Sequence, residues 1–360
     1  MWQYFLKRIL LFIPTLFVIT AISFGISRLA PGDPASLKAG QTAEGGMSGR
    51  TGLNEKIVQM IREQWHLDKP VWQQYLIWTG GVFAFDMSKV FTKNGTSWSS
   101  IRFTGRPDFG RSFQDNRPVF DKMLERVPVT LIMNIFAIFI AYAVAIPLGI
   151  YSSTHPGTFL DRTSTFVLFA LYSLPVFWVG TLAVTFLANP EYFSWFPSGG
   201  LRSPGFSSTW SWWKQLADYS AHLALPMIVY VYADFAFISR QMRSAMLEVI
   251  RQDYIRTARA KGLAERAVVY RHALRNALIP MITIVAALVP NLIGGSVIIE
   301  SIFSIPGMGQ LSYQGLIARD YPMIMAVFTI SAILTLVGML LADVLYSVAD
   351  PRISYSKKAS

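Results

Sequence analysis

Residues able to do covalent or metal chemistry are few and scattered. There is no cysteine, which removes thiol catalysis, Cys-ligated zinc and iron–sulfur clusters. The four histidines, His66, His155, His222 and His272, have no metal-ligand spacing, and no H-E-x-x-H occurs. No glycine is followed by lysine, so a G-x-x-x-x-G-K-[ST] loop that would cradle a nucleotide phosphate is missing. Gly46-Met47-Ser48-Gly49 has the letters of an intramembrane serine protease motif. It lies in a Gly/Ser/Thr-rich segment, Lys38 to Gly52, whereas such a nucleophile must sit in a helix beside a membrane-embedded histidine. Asp234 and Asp343 are more telling, because each interrupts an otherwise apolar stretch, at a cost of roughly 2.5–3.5 kcal/mol at the centre of a membrane helix. An intramembrane aspartyl protease would use both, but neither has a Gly-rich flank. An ion-driven transporter would need more buried ionisable groups. The structural alternative pairs them with Arg240 or Arg352 near the membrane surface.

The elements that must position these groups are membrane helices. The 360 residues are 52% hydrophobic and only 15% charged, where a soluble domain carries about 25% charged residues. Six stretches approach the roughly 20 apolar residues needed to cross a bilayer. They are Ile9 to Leu29, Thr130 to Tyr151, Thr163 to Ala188, Leu223 to Ile238, Leu278 to Ile299 and Met323 to Tyr346, the fourth being short. The first reads as an uncleaved anchor, since a cut after Ala30 would put Arg28 at minus three and Pro31 next. Pro14, Pro147, Pro175, Pro226, Pro280 and Pro290 lie in or beside spans and suggest kinked helices around a cavity. No internal repeat is evident.

Basic residues set the orientation. Lys7, Arg8, Arg162, nine Lys or Arg between Ser239 and Asn276, and Arg352, Lys357 and Lys358 all fall on one side. Only Arg202, Lys214 and Arg319 fall in the short connections opposite, which makes both termini cytoplasmic. Nearly all of the +11 net charge therefore sits on the cytoplasmic face, as membrane topology requires, and nucleic-acid binding is not implied. Three regions follow: a tail and first span, 1–29; an extracytoplasmic loop, 30–129; and a five-span core, 130–360. Within the outer loop, Ile57, Met60, Ile61 and Trp65 have a helical period, Val71 to Trp78 suggests a second helix, and Asn94 to Arg106 is turn-rich. Aromatic residues from Tyr192 to Trp213 have the density of a membrane-interface belt.

The cytoplasmic segment 239–276 has the sharpest pattern. Leu247, Ile250, Tyr254 and Ala258 fall at three- and four-residue steps along one apolar stripe. Gly262 suits a left-handed helix C-cap, and Ala264 to Leu274 can form a second short helix presenting Val268, Val269 and His272. Two readings fit this hinge: a knob that docks on a partner, and an amphipathic hairpin lying on anionic lipid.

The segment resembles the coupling loop of ABC-transporter permeases, whose pattern is E-A-A, three residues, Gly, nine residues, I-x-L-P. Here Arg256-Thr257-Ala258 stands at the first element, Gly262 matches, and His272-Ala273-Leu274-Arg275 stands at the last. The departures resemble the dipeptide, oligopeptide and nickel branch, as do RILLFIPTLFVITAISFGISRLAPGDP, LDKPVWQQYLIWTGG, DFGRSF, RPVFDKMLERVPVTL, GSVIIESIFSIPGMGQL, RDYP and ADVLYSVADPRI. Ser88 to Pro107 reads as an insertion that lengthens the outer loop toward that of Yej-type peptide importers. The resemblance implies an all-α protein with six transmembrane helices and the type I importer permease fold. It implies the B-type permease subunit of a bacterial inner-membrane importer for peptides or, within the same branch, for a nickel chelate. Implied partners are a C-type permease, two cytoplasmic ATPases carrying ATP and magnesium, and an extracytoplasmic binding protein; no cofactor is expected on this chain. Leu263 and Leu274 are expected to pack against an ATPase groove.

Overall fold

The computed structural model describes residues 2–29, 35, 51–92, 95–289 and 291–349. The Gly46–Gly49 motif, Pro290, Arg352, Lys357 and Lys358 lie outside them. The chain forms two compact units, Leu10–Arg126 with Leu311–Ile333, and Met1–Ile9 with Val127–Gln310 and Leu334–Ser360.

In the first unit, α2 (Thr51–Gln64) and α3 (Val71–Val82) occupy the two stretches expected to be helical. Trp65, just past α2, stacks on Phe113 at 3.8 Å between ring centroids. The chain is not wholly α-helical. Phe85–Asp86 (β1) pairs antiparallel with Arg102–Phe103 (β4), and Phe91–Thr92 (β2) pairs with Gly95–Thr96 (β3). Both ladders involve the segment 88–107, read from the sequence as an insertion. Phe85 faces Phe103 and Asp86 faces Arg102, so an aromatic pair and an opposite-charge pair hold a two-residue register too short to show a periodicity.

Among the described residues, four helices are long and apolar enough to cross a membrane. They lie in α1 (Trp2–Leu29), α4 (Val119–Thr154), α7 (Trp212–Ile250) and α15 (Tyr321–Ala349), the last preceded by the short α14 (Met308–Ile317). A fifth span is counted if α5 (Phe159–Ser173) and the following α6 (Val176–Leu182), extended by a π turn to Ala188, are taken as one path bent by 92°. Pro175 causes the bend by pushing Leu174 into extended backbone, φ −87° and ψ 126°. Tyr232 donates to the Leu174 carbonyl at 2.9 Å and so satisfies an acceptor that the break leaves over. The short fourth stretch is the apolar centre of the 39-residue α7.

The fifth stretch, expected as one helix, is instead three: α11 (Ile279–Leu288), α12 (Asn291–Gly294) and α13 (Val297–Ile302). Gly295, at φ 69°, takes a left-handed backbone that ends α12 and redirects the chain. Hydropathy registers the apolar content of this stretch and is blind to the turn.

The second unit's core is built on close helix contact. Ala141, Ala145 and Gly149 repeat at four-residue steps on α4 and face Met242 and Ser239 on α7. A Cβ on Gly149 would lie 2.7 Å from that of Met242, so only glycine permits this approach.

Candidate functional site

The segment after α7 folds into the expected hinged knob. α8 (Asp253–Ala260) carries Asp253 in its first turn, where a carboxylate complements the helix dipole. The helix ends at Gly262, φ 77°, whose N–H bonds the Arg259 carbonyl at 2.9 Å. A second arm follows from α9 (Glu265–Ala267) through a π turn, Val268–Ala273, into α10 (Leu274–Ala277). Across the turn, Arg259 grips Glu265 with two hydrogen bonds of 3.0 and 2.6 Å. The Arg259 hydrogen bond holds the Glu265 carboxyl below its usual range. Asn276 donates to the Tyr254 hydroxyl at 2.6 Å, tying the arms together at their far end.

The inner faces of both arms pack on the helix core. Ile255, Ala258, Val268, Val269, Ala273 and Ala277 are buried in one cluster with Met242 and Met246 of α7 and Ala141 and Ala145 of α4. The buried stripe differs in part from the expected one: Tyr254 is exposed, Ile255 takes its place inside, and Leu247 and Ile250 are half-buried. One residue of drift arises because α7 ends at Ile250 and α8 restarts after Gln252, resetting the helical phase.

Of the residues singled out for coupling, Arg256, Thr257, Gly262, Leu263 and Arg275 are exposed, and Ala258 is buried. His272 is half-buried, and Leu274, expected outside, is half-buried against the core cluster. Arg256 pairs with Asp253 at 3.4 Å, and Thr257 donates to the Asp253 carbonyl at 2.9 Å. The exposed tip thus runs from Arg259 to Arg266 with Leu263 as its large apolar group.

The two aspartates have different surroundings. Asp343 is buried on α15 and paired with Arg8, a residue at the other end of the sequence; Arg352, the partner expected for it, lies outside the described residues. Asp234 is half-buried in α7; Arg240, its expected partner, lies over the Tyr172 ring at 5.5 Å.

Two polar nodes escaped the sequence reading. Asp161 accepts from Ser152 and from Arg243 at 3.2 Å, joining α5, α4 and α7 just before the knob. Arg243→Gln is expected to destabilise the chain by about 1–3 kcal/mol, because the buried Asp161 carboxylate loses its charged donor and keeps only its hydrogen bonds from Ser152 and Gly157. Thermal unfolding of the purified chain checks this, with an unchanged midpoint counting against the pair. The second node is Glu300, 1% exposed, which accepts from Thr130 Oγ1 at 3.0 Å and from the Gln310 N–H at 2.9 Å. Thr130 Oγ1 in turn accepts the Met308 N–H at 2.8 Å. The signal for it was a lone charge in G-S-V-I-I-E-S-I-F, with Gly295, Gly307 and Gly309 making room for its carboxylate.

Long apolar helices with a knob packed on them mark a membrane-spanning chain, and comparisons with known proteins give its family. Residues 145–355 match the family described as binding-protein-dependent transport system inner membrane component, and residues 1–134 match the N-terminal part described for the same membrane components. The chain belongs to this family of ABC importer permeases. It is 38% identical over 359 residues to the oligopeptide transport system permease protein AppB of Bacillus subtilis, covering 99% of this chain and 100% of the relative. It is 34% identical over 372 residues to the dipeptide transport system permease protein DppB of Escherichia coli K12, and 31% identical over 385 residues to the peptidoglycan transport system permease protein YejB of Agrobacterium fabrum. Each of these likewise covers 99% of this chain and all of the relative. A solved MetNI methionine ABC transporter structure with inward-facing conformations shares 21% identity at a TM-score of 0.48, covering 63% of this chain and 96% of that one.

Proposed function

We infer that this chain is one of two permease subunits of a bacterial inner-membrane ABC importer for peptides, and that the knob around Gly262 couples it to ATPase subunits. The peptide reading is supported by relatives of matching length named for oligopeptide and dipeptide transport. The coupling reading rests on one observation: the inner face of the knob belongs to the same buried cluster as α4 and α7, while its tip is exposed. A push on the tip is therefore passed to two spans through close-packed side chains, which transmit displacement rather than absorb it. A hairpin lying on lipid would turn its apolar stripe to the bilayer, whereas here Ile255, Ala258, Val268 and Val269 are buried within the chain.

In this reading both termini are cytoplasmic, and the broken α11–α13 path is the fifth of six spans, with α15 the last. Residues 30–129 form an extracytoplasmic subdomain, with the exposed Trp195, Trp212 and Trp213 at the outer interface. The partners are a C-type permease, two cytoplasmic ATPases that bind ATP and magnesium, and an extracytoplasmic binding protein. Closure of the ATPase pair on ATP presses the knob and turns the spans so that the cavity opens outward; hydrolysis releases it to face inward. Arg256, Thr257, Gly262, Leu263 and Arg275 present the contact surface, and Ala258, His272 and Leu274 hold its shape. Asp343 is structural through Arg8.

Disulfide crosslinking tests the contact. A cysteine at Leu263 is expected to crosslink to a cysteine in an ATPase groove, and one at Leu274, packed inward, is not. Failure at every tip position would remove the docking role.

A further inference from the structure

A cavity of about 250 Å³ opens between α4, α5 and α7, inside the unit that contains the knob. It is smaller than sites that enclose a whole small molecule, so it suits one group of a larger one. Two arginines, Arg240 and Arg243, line it, and no carboxylate does. Asp161, the acid that Arg243 grips, is also held by Ser152 and by the Gly157 N–H at 2.9 Å. Arg240 is left uncompensated: among the described residues it meets no carboxylate, and its guanidinium lies over the Tyr172 ring. The wall hydroxyls of Thr165 and Ser244 are exposed and have no hydrogen-bond partner among the described residues. The level of the cavity in the membrane follows from the sequence. Arg240 and Arg243 come just past the apolar stretch 223–238 of α7, and Ser152 of the wall comes just past the stretch 130–151 of α4. The cavity therefore stands at the headgroup level of one membrane face, whichever face that is. From it, exposed apolar side chains lead toward the membrane interior. Phe169 and Tyr172 follow Thr165 at four- and three-residue steps on α5, and Val144 lies one turn before Leu148 of the wall on α4.

We propose that this cavity seats the phosphate headgroup of an anionic phospholipid, with the acyl chains along the exposed apolar side chains of α4 and α5. Arg240 meets the phosphate oxygens, in the paired geometry that suits a guanidinium, and the Thr165 and Ser244 hydroxyls donate beside it. Basic pockets between membrane helices at this level are matched to such headgroups. A free phosphate ion offers the same oxygens without the chains. The proposal requires only that α4, α5 and α7 lie in a membrane; it depends neither on the transported substrate nor on the coupling role of the knob.

Native mass spectrometry of the full chain, released from nanodiscs holding equal amounts of phosphatidylglycerol and phosphatidylcholine, tests this. The wild-type chain is expected to retain phosphatidylglycerol in preference to phosphatidylcholine, and added inorganic phosphate should not displace it. Arg240→Gln should cut the retained phosphatidylglycerol about fivefold, the worth of one arginine beside an anionic headgroup. Its melting temperature should not change, because Arg240 is exposed and pairs with no carboxylate. Arg240→Lys keeps the charge without the fork and should fall between the two. Arg251→Gln, exposed at the end of the same helix but outside the cavity, should retain as much as the wild type. If Arg240→Gln does not fold, the wild-type comparison and Arg240→Lys decide. Equal retention of the two lipids by the wild-type chain, displacement by inorganic phosphate, or equal losses in the Arg240→Gln and Arg251→Gln variants overturns the proposal. So does retention that folded Arg240 variants leave unchanged.

Discussion

Replacing Gly262 with valine is expected to reduce substrate uptake to background while the chain still inserts and assembles. No atom lies within 4 Å of a Cβ built at Gly262, so the substitution crowds nothing. Its whole effect is on the backbone, which stands at φ 77°. An L-residue in that region costs roughly 1–2 kcal/mol, and a β-branched one is a genuine outlier there. The turn relieves this strain by leaving the left-handed region, which swings Leu263 and the Arg259–Glu265 brace away from their present positions. The buried half of the knob, Ile255 with Val268 and Val269, stays anchored, so folding survives and coupling does not. Gly262→Asn is the matching control, because asparagine enters the left-handed region readily; it should keep most of the activity. Comparison of uptake with membrane-inserted protein for the two variants checks the argument. Normal uptake by the valine variant would refute the coupling assignment.

Glu300→Ala is expected to be among the most destabilising single changes in the chain. It removes the acceptor for Thr130 Oγ1 and the Gln310 N–H, both inside the unit that contains the knob. A buried donor left unsatisfied costs about 1–3 kcal/mol, so two cost about 2–6 kcal/mol before any cavity is counted. Glu300→Gln keeps one carbonyl oxygen and should lose less. Gly309→Ala probes the same node from the other side, since its new Cβ would stand 2.6 Å from the Val297 nitrogen. Melting temperatures of the purified variants give the order, with Ala the lowest of the two Glu300 substitutions. Equal midpoints for wild type and Glu300→Ala would show that the carboxylate holds nothing together.

Local chemistry was legible in the sequence where it repeats or where one residue type is needed. Gly262 marked its turn because few residues other than glycine accept that backbone, and the apolar steps placed Ala258 on the packed face but not Tyr254, whose place Ile255 takes. Apolar length located α1, α4, α7 and α15, and Pro175 marked the bend between α5 and α6. Long-range pairing left no such trace. The partner of Asp343 is Arg8, and nothing in the residues around either names the other. Leu274 looked like a contact residue by its place in a motif, but the π turn before it rotates it toward the core. The break after Gly294 was hidden because its flanks are as apolar as any span. The two ladders of the outer loop were missed because two residues are too few for an alternation to be seen.

The most direct test is reconstitution. Vesicles holding this chain with the proposed permease partner, ATPases and binding protein should accumulate a short peptide only when ATP is supplied, and omission of the ATPases should stop uptake altogether. Peptide uptake that persists without them, or ATP hydrolysis by this chain purified alone, contradicts its role as a gate moved from outside through the Gly262 knob.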